Sequence, residues 1–585
     1  MPLHHLAFTL LHFAFVVPKV FLSVCISSYS MVLTNLWLFI QVLLQLHSMA
    51  VAQVTVHPWP GGETQASPWY LVTVEGRDSF VWYTSAAERQ PCAPGNNCPS
   101  TPVEKDTSFS LFDMSADGSP ARVEVTLLQK TAVESVEIRP SSAGIQATVD
   151  SSAKGFNFVM TEPRQVCAVI NGNADQPLCI FADPAQEDPP TKGSDDLIYF
   201  GPGVHHPGKI NVTGSQKVYI AGGAHVFGQI VALPNQFCGG GIQVTGRGVL
   251  SGHNLPIDYR AYAMVDLGGC PDFLIEGITT IDSPQYQGNT FAPRGTIRWA
   301  KSIAWGFTTD GFGGGEYSLV EHCFFKVNDD SSKLYFTGQV VQNNVYWQME
   351  NGCPLMMSWN TEANVGFITA RDNDIIAHEK TSQEGNLTGV VCAYHGGAGN
   401  FNNYVIDRLR IEGQQWAFVS VTMQRNPWSP PPPTPIGNIS SIILRDVQIA
   451  APFPAPPEDA YMIHGRSTRS RADMFVFDNV KIGSSYLNNA DIVPGIGKFA
   501  TNIITCIGCA AEYFSKLADG HMWSNDERCG RAPQPKIVGF QLPPLNDYVG
   551  EAPFCNSTAR VSKVQSIVDA KATAAYWSGG DPKLK

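Results

Sequence analysis

Short apolar runs separated by polar turns dominate the chain after residue 53, and they give the first indication of its fold. Segments such as WYLVTVEG, ARVEVTLL and GFNFVMTEP alternate apolar and polar residues. Turns rich in Gly, Pro, Asn and Asp separate them about every ten residues. Alternation of this kind is typical of strands with one buried face, and it predicts a β-sandwich over residues 53–185.

The pattern changes after a polar, proline-bearing linker at residues 182–196. Beyond it, apolar runs such as FLIEGITTID, SLVEHCFFKV and YVIDRLRIEG follow one another without an intervening helical period. Val320, Val341 and Val365 align at spacings of 21 and 24 residues. Repeats of this length built from strands alone predict a right-handed parallel β-helix over residues 195–565. The L-x-x-L-x-L pattern of leucine-rich repeats is absent from this sequence, and a propeller needs repeats of about 40 residues.

Two proline-rich segments, at residues 427–437 and 451–460, interrupt the repeats. Proline lacks a backbone donor, so neither segment can continue through a central strand. We expect both to be loops that leave the stacked coils, and they are candidates for a wall of a cleft. Residues 566–585 show no strand pattern and are predicted to form a C-terminal tail.

Residues 1–52 are strongly apolar and are interpreted as a leader. Apolar runs lie at Leu6–Val24 and Met31–Leu46, and the second is followed by Ala50-Val51-Ala52, a small-x-small cleavage sequence. We therefore expect a signal peptide over residues 31–52 and a secreted, extracellular protein. Two membrane spans are the alternative, although both runs are near the lower limit of a span, roughly 17–20 residues.

Cysteine usage agrees with export. Two pairs bracket short turns and are predicted to form local disulfides: Cys92 with Cys98, and Cys167 with Cys179. The C-x-x-C motif of Cys506 and Cys509 has no second pair at zinc-ligand spacing, which favours a disulfide or two buried thiols. The odd number of cysteines after the leader implies a free thiol. Four sequons are compatible with glycosylation: Asn211, Asn386, Asn438 and Asn556.

The charge balance limits the partners. A formal net charge of −12 and a pI of about 5.6 argue against nucleic acid and against stable association with anionic membranes. A negatively charged protein is also poorly suited to a polyanionic substrate such as pectate, so a neutral ligand is favoured. We expect the protein to act as a monomer.

Three aspartates stand among aromatic and β-branched residues in the segment 307–336. Asp310 precedes the adjacent pair Asp329 and Asp330 by 19 residues, which is close to one coil. Stacking would then place the carboxylates on neighbouring rungs, about 4.8 Å apart. Such crowding raises at least one pKa, and glycoside hydrolysis uses one protonated acid together with ionised acids that activate water. Turn capping and a calcium site are the other interpretations of this spacing.

The motifs around these acids resemble a known family. TTDG, followed by NDDSSKLY and then MMSWNTEANV, resembles the core of glycoside hydrolase family 49, the dextranase and isopullulanase family. The resemblance covers most of residues 195–370 and extends more weakly towards residue 560. It implies a β-sandwich before a β-helix. It also implies an endo-acting hydrolase that cleaves α-glucans with inversion and without a metal or other cofactor.

The resemblance also implies a role for each acid. Asp329 would protonate the departing glycosidic oxygen, while Asp310 and Asp330 would hold and deprotonate the attacking water. Carboxylates about 5 Å apart are usual for retention, whereas inversion normally uses about 6.5–9.5 Å. We follow the family and predict inversion, because side-chain direction can widen the gap. Cleavage of α-1,6 linkages in dextran is the expected activity, with isopullulanase-type cleavage of pullulan as the alternative.

Three more residues match the family region and are predicted to bind substrate: Lys333, Trp359 and Asn360. The match of the last two is to a W-x-x-N-like region, although here they are adjacent. Ordinary packing of Trp359, and a salt bridge from Lys333 to the acids, are the alternatives. Where the family motif can carry a third acid and a glycine, this chain has Asn328 and Ser331-Ser332, a departure that could change the substrate fit.

Other functions compete with this prediction. A polygalacturonase-type hydrolase shares the β-helix and the three acids, but AYHGGAG around His395 is not its G-H-G motif, and RIEG at Arg410 lacks the lysine of its R-I-K motif. A polysaccharide lyase would need a basic residue to abstract a proton. A non-catalytic carbohydrate-binding β-helix would have no need of three crowded aspartates. The sequence therefore predicts a dextranase-like hydrolase.

Overall fold

The computed structural model describes nine stretches of the chain, and nearly all regular structure in them is β-strand. These stretches are residues 54–88, 105–129, 131–232, 241–255, 263–380, 389–413, 415–427, 429–432 and 434–510. Several predicted features lie outside them: the leader 1–52, the pair Cys92 and Cys98, the sequons at Asn386 and Asn556, and the tail 566–585. Within these stretches, no helix combines the length and apolar character needed to span a bilayer.

The residues before the linker form a β-sandwich, as the alternating pattern predicts. Two sheets pack around a core that includes Val74, Val123 and Ile180. In the described residues, the inner sheet contains β1 (Thr55–Val56), β4 (Val81–Ser85), β5 (Asp106–Asp113), β7 (Val136–Arg139), β10 (Arg164–Ile170) and β11 (Asn173–Asp183). The outer sheet contains β2 (Tyr70–Val74), β3 (Arg77–Ser79), β6 (Ala121–Leu127), β8 (Thr148–Val149) and β9 (Gly155–Met160).

Burial along the strands shows how the sandwich is oriented. Strand β6 alternates buried and exposed residues, because only one of its faces meets the sandwich core. Strand β5 is buried at every position, because its second face packs on the β-helix. Neighbouring strands of both sheets are antiparallel, apart from β5 and β11, which are parallel. The inner sheet therefore packs against the β-helix.

After the linker the chain winds into a parallel β-helix with three sheets in its described part. Sheet 1 contains β12 (Leu197–Phe200), β14 (Lys217–Ile220), β16 (Gln243–Gly246), β19 (Leu274–Glu276), β22 (Thr296–Arg298), β24 (Leu319–Glu321), β27 (Val340–Gln342), β30 (Val365–Arg371), β33 (Phe401–Asp407), β36 (Ile439–Arg445), β39 (Ala472–Asp478) and β42 (Ala500–Cys506). Sheet 2 contains β13 (Gly203–Val212), β15 (Ala224–Ala232), β17 (Val249–Ser251), β18 (Val265–Asp266), β20 (Thr279–Ile281), β21 (Gly288–Asn289), β23 (Lys301–Ile303), β25 (Phe324–Val327), β28 (Val345–Gln348), β31 (Asp374–His378), β34 (Arg410–Ile411), β37 (Gln448–Ile449), β40 (Lys481–Ile482) and β41 (Ser485–Tyr486). Sheet 3 contains β26 (Ser332–Lys333), β29 (Leu355–Trp359), β32 (Gly389–Tyr394), β35 (Ala417–Thr422) and β38 (Tyr461–His464).

Helical structure in the described residues is confined to single turns. Two are α-helical, α1 (Pro457–Ala460) and α2 (Asn489–Ile492), and three are 3-10 turns at Ala86–Glu88, Ser141–Ala143 and Val493–Gly495. The proline-rich segments leave the coil stack as predicted. The first lies between β35 and β36, and the second lies between β37 and β38 and ends in α1.

The coil register agrees with the valine pattern for one coil and departs from it in the next. Val320 pairs with Val341, as their spacing predicts. Val341 then pairs with Ala370 and not with Val365, so the alignment on the third valine was wrong. The longer coil contains β29, a five-residue strand of sheet 3, whereas the preceding coil contains only the two-residue β26. The longer sheet 3 strand contributes to the longer repeat.

The cysteines follow the prediction in part. Cys167 pairs with Cys179, and Cys506 pairs with Cys509. A third disulfide, Cys353–Cys392, joins segments 39 residues apart and carries no local turn signal in the sequence. Among the described residues, Cys323 is a free and buried thiol.

Candidate active site

The three aspartates meet at one corner of the β-helix. Asp329 and Asp330 occupy the turn between β25 and β26, and Asp310 lies in the turn one rung earlier. The rungs are fixed by backbone pairing, because the Gly311 N–H donates to the Asp330 carbonyl at 3.0 Å. One oxygen of each carboxylate lies within 4.8 Å of the others. The coil spacing therefore predicted their adjacency correctly.

Lys333 provides positive charge at the centre of this group. Its Nζ lies 2.6 Å from Asp310 Oδ1 and 3.9 Å from Asp330 Oδ2, and all three side chains are buried. The ammonium also lies 5.6 Å from the ring centroid of Tyr286 and 5.9 Å from that of Tyr335. Burial by itself lowers the pKa of Lys333, but the three carboxylates outweigh it and raise the pKa above its ordinary value. Lys333 therefore stays protonated.

Hydrogen bonds distinguish Asp330 from its neighbour Asp329. Asp330 accepts the Tyr335 hydroxyl at 3.2 Å and the Cys353 N–H at 3.3 Å. Burial raises the pKa of Asp330, while Lys333 and these two donors oppose the rise. Asp329 is half-buried, and its Oδ1 accepts the Asp330 N–H at 2.9 Å. Burial, together with repulsion from the two other acids, raises the pKa of Asp329 well above its usual range.

Asp310 has an intermediate environment. Burial raises its pKa to about 6 and repulsion from Asp330 adds to the rise, whereas Lys333 opposes it. The second oxygen, Oδ2, is buried and has no hydrogen-bond partner within the described residues. The corner thus combines Asp329, whose raised pKa favours its protonated form, with two carboxyls whose ionised forms are supported by a lysine. General acid–base chemistry needs this difference between neighbouring groups.

Two glycines allow the rungs to approach each other here. A Cβ on Gly352 would lie 2.3 Å from the Asp329 carbonyl carbon and from the Asp330 nitrogen, and its φ of +71° is unfavourable for other residues. A Cβ on Gly311 would lie 2.2 Å from the Ser331 carbonyl oxygen. The backbone of the acid pair is therefore held tightly between its two neighbouring coils.

Comparison with known proteins finds three relatives of low sequence identity. No protein-family model matches the chain. A dextranase of Arthrobacter sp. (strain CB-8) is 23% identical over 326 residues, which are 46% of this chain and 50% of the relative. A dextranase of Talaromyces minioluteus is 27% identical over 219 residues, 32% of this chain and 35% of the relative. An isopullulanase of Aspergillus niger is 24% identical over 412 residues, 56% of this chain and 69% of the relative.

The chain thus spans half the length of the Arthrobacter dextranase and about a third of the Talaromyces one. These dextranases and the isopullulanase agree with the resemblance to glycoside hydrolase family 49 that the sequence motifs carry. Among solved structures, Dex49A from Penicillium minioluteum superimposes with a TM-score of 0.61 and 17% identity, covering 78% of this chain and 96% of that one. At this identity the superposition establishes the fold, a β-sandwich followed by a β-helix.

The departures from the family motif lie inside the protein. Asn328 is buried, donates to the Trp305 carbonyl at 2.8 Å and accepts the Asn351 N–H at 2.9 Å, so it ties adjacent coils together. The Ser331 hydroxyl donates to Gln348 at 2.6 Å, and the Ser332 hydroxyl lies 2.9 Å from that of Tyr346. These residues form part of the internal framework beneath the acids.

The three predicted substrate-binding residues lie in different environments. Lys333 contacts the acids, which is the salt bridge considered as its alternative role. Trp359 is half-buried at the end of β29, and its ring centroid lies 5.0 Å from that of Tyr394. Asn360 is fully buried, donates to Asn426 at 2.7 Å and accepts the Ser429 hydroxyl at 2.6 Å. Asn360 therefore anchors the first proline-rich segment.

Two residues that support the acids were not singled out from the sequence. Tyr335 donates to Asp330, and Gln348 donates to the Asp329 carbonyl at 2.9 Å. Tyr335 lies two residues after Lys333, just beyond the end of β26, so continued period-two alternation would place both side chains on one face. That signal could have identified Tyr335, whereas the position of Gln348 depends on the coil register.

The acids also have the geometry of a cation site, because their oxygens lie within 4.8 Å of one another. Carboxylates are ligands that Ca²⁺ prefers. However, the Lys333 ammonium already contacts Asp310 and would repel a divalent cation bound there. A second group, Asp478 with Cys506 and Cys509, lacks free thiols because its cysteines form a disulfide. The ammonium at the first group and the disulfide at the second therefore disfavour a resident metal ion.

Proposed function

We propose that this protein is an endo-acting glycoside hydrolase that cleaves the α-1,6 linkages of dextran. The observation that carries the proposal is the cluster of three carboxylates around Lys333, in which Asp329 has a strongly raised pKa. Its relatives from Arthrobacter and Talaromyces are dextranases, and they support the choice of substrate. A neutral glucan also suits the acidic chain.

In the proposed reaction, Asp329 transfers its proton to the glycosidic oxygen as the bond from that oxygen to the anomeric carbon breaks. A water molecule attacks the same carbon and gives a proton to an ionised carboxylate, Asp310 or Asp330. Asp310 Oδ2 is well suited to accept this proton, since its other oxygen is paired with Lys333. Developing positive charge on the sugar is stabilised by the carboxylates. The products are two shorter glucan chains.

We propose that the reaction inverts the anomeric configuration, as the family resemblance implies. The short distances between the carboxylate oxygens are closer to the spacing usual for retention. Proton NMR of the first products distinguishes the outcomes, because it resolves α and β anomers before mutarotation mixes them. Initial β-anomers support inversion, whereas initial α-anomers contradict it and assign a nucleophile among the three acids.

Isopullulanase-type cleavage of pullulan is the second candidate. It is favoured by the Aspergillus niger isopullulanase, which is similar over 412 residues, a longer stretch than either dextranase named above. Separate incubations with dextran and pullulan, followed by analysis of the linkages in the products, test the choice. Depolymerisation of dextran with little action on pullulan supports the first candidate, and the reverse supports the second.

We further propose that the protein acts outside the cell as a monomer. The predicted signal peptide and the disulfides Cys167–Cys179 and Cys353–Cys392 support an extracellular location. Recovery of the protein from the culture medium of an expressing host tests secretion, and light scattering of that material tests the monomer. Retention in the membrane fraction, or a stable dimer, would contradict the respective proposal.

A further inference from the structure

A second concave site lies along sheet 3, away from the three aspartates. It is an open pocket of about 390 Å³ between the ends of β35 and β38 and the segment before β42. The side chains that line it include Gln424, His464, Arg466, Lys498 and Phe499. The proposed reaction involves none of them.

The cavity is built into the coil stacking. A Cβ on Gly465 would lie 2.2 Å from the Phe499 carbonyl oxygen, and a Cβ on Gly497 would lie 2.7 Å from the His464 ring. The Gly497 N–H donates to the Ile463 carbonyl at 2.9 Å. Because both positions are glycine, the two segments can approach closely and form opposite walls of one pocket.

One column of side chains connects this pocket with the region of the acids. In sheet 3, Trp359 pairs with Tyr394, Tyr394 pairs with Thr422, and Thr422 pairs with His464. Three rungs separate Trp359 from His464, a distance of about 14 Å. At the other end, Trp359 belongs to one apolar cluster with Tyr335, which contacts Asp330. A chain that crosses successive rungs from the acids would therefore reach the pocket.

The lining can hold a hydroxyl-rich ligand through an aromatic ring and several hydrogen-bond donors. Phe499 offers an apolar surface for a sugar ring, and the Arg466 guanidinium and Gln424 amide can donate to hydroxyl groups. The lining contains no Asp or Glu among the described residues. Thr422 is more than nine-tenths buried in the floor, and its hydroxyl has no partner in the part of the chain that the structure describes. A ligand hydroxyl that reaches the floor would relieve this unsatisfied group.

We propose that this pocket is a distal subsite that binds a stretch of neutral α-glucan chain beyond the point of cleavage. The inference rests on the proposed function, because it assigns the pocket to the same substrate. Engagement at two places along one chain strengthens the binding of long substrates, since the second contact forms within an already bound molecule. Short oligosaccharides, which reach only the acids, gain nothing from the pocket.

The test compares short isomalto-oligosaccharides with ones long enough to extend from the acids to the pocket. We expect Phe499→Ala to lower kcat/KM for the long substrates roughly fivefold to tenfold, and to leave kcat/KM for the short substrates unchanged. The matched control is Tyr486→Ala on sheet 2. Its ring centroid lies 4.9 Å from Lys481 Nζ, as that of Phe499 lies 5.6 Å from Lys498 Nζ.

Unaltered kcat/KM for the long substrates, or an equal loss with short and long ones, overturns the proposal. Calorimetric titration of the catalytically inactive Asp329→Asn variant gives an independent measurement. Binding of long isomalto-oligosaccharide that is weakened by Phe499→Ala supports the subsite. Binding of inorganic phosphate that displaces the sugar from Arg466 and Lys498 overturns it in favour of an anion site. If the wild type does not hydrolyse dextran, but the Asp329→Asn variant binds long isomalto-oligosaccharide and Phe499→Ala weakens that binding, only the proposed function fails.

Discussion

At the scale of single residues, Lys333 sets the charge balance of the candidate active site. It is the cation closest to Asp310 and Asp330 within the described residues, and it opposes the rise in their pKa that burial causes. The proposed reaction needs one of these acids ionised and Asp329 protonated. The rate should therefore fall on the acid side as Asp310 or Asp330 takes up a proton, and on the alkaline side as Asp329 loses one.

We predict that Lys333→Met shifts the acid limb of the kcat/KM profile to higher pH. Removal of the ammonium raises the pKa of Asp310 above its value of about 6 and raises that of Asp330 as well. A shift of roughly one to three pH units is expected for loss of an adjacent opposite charge. The control is Lys217→Met, which removes an exposed lysine from sheet 1. An unchanged acid limb in Lys333→Met would contradict the assigned role.

At the same scale, some features of the candidate active site could be predicted from the sequence and others could not. The spacing of Asp310 from Asp329 and Asp330 predicted their adjacency, because it is close to one coil. The internal roles of Asn328 and Asn360 could not be predicted, because polar residues at turns are usually exposed. Both are buried here: Asn328 forms hydrogen bonds between coils, and Asn360 accepts the Ser429 hydroxyl of the first proline-rich segment.

At the scale of elements, the position of the acid pair depends on how closely two coils stack. Gly352 lies directly against the backbone of Asp329 and Asp330. Sequence periodicity predicted that the coils stack, but it did not predict where they lengthen. The repeat that follows Val341 is longer, partly because it contains the five-residue strand β29. An alignment based only on apolar residues cannot show where such extra residues lie.

We predict that Gly352→Ala lowers kcat for dextran by more than about tenfold, because a displacement of even 1 Å in a reacting group can cost about a hundredfold in rate. The added Cβ would displace the turn that carries the acids. The matched control is Gly214→Ala, which has a positive φ of +58° but no neighbour within 4 Å of the added Cβ. Assays at a temperature where both variants remain folded separate activity from stability. Equal activity of the two variants would contradict this account.

At the scale of the whole molecule, a buried network of charges joins the sandwich to the β-helix. Asp113 and Asp183 of the inner sheet face Arg247 and Lys301 of the β-helix, with Arg247 Nε 2.6 Å from Asp113 Oδ1. Lys301 forms an ion pair with Asp183, and both are fully buried. Apolar residues of both domains surround these groups. The sequence predicted the two domains, but the contact between them joins residues more than a hundred positions apart and left no local signal.

We predict that Lys301→Met reduces the free energy of unfolding by roughly 3–5 kcal/mol, because it leaves Asp183 buried without its nearest cation. Burial already raises the pKa of Asp183, so the carboxyl is sensitive to this loss. Chemical denaturation at constant pH measures the change. The double variant Lys301→Met with Asp183→Asn should recover part of it. Full stability of Lys301→Met would show that the network contributes little to holding the domains together.

The central claim, acid-catalysed endo-cleavage of dextran, is tested most directly by the size distribution of the products. Dextran incubated with the wild type and with Asp329→Asn is followed by size-exclusion chromatography. We predict a rapid fall in chain length with the wild type, and a rate about 10²–10⁴ times lower with Asp329→Asn, as expected for loss of a general acid. Release of glucose alone, or an equal rate from the Asp329→Asn variant, would contradict the claim.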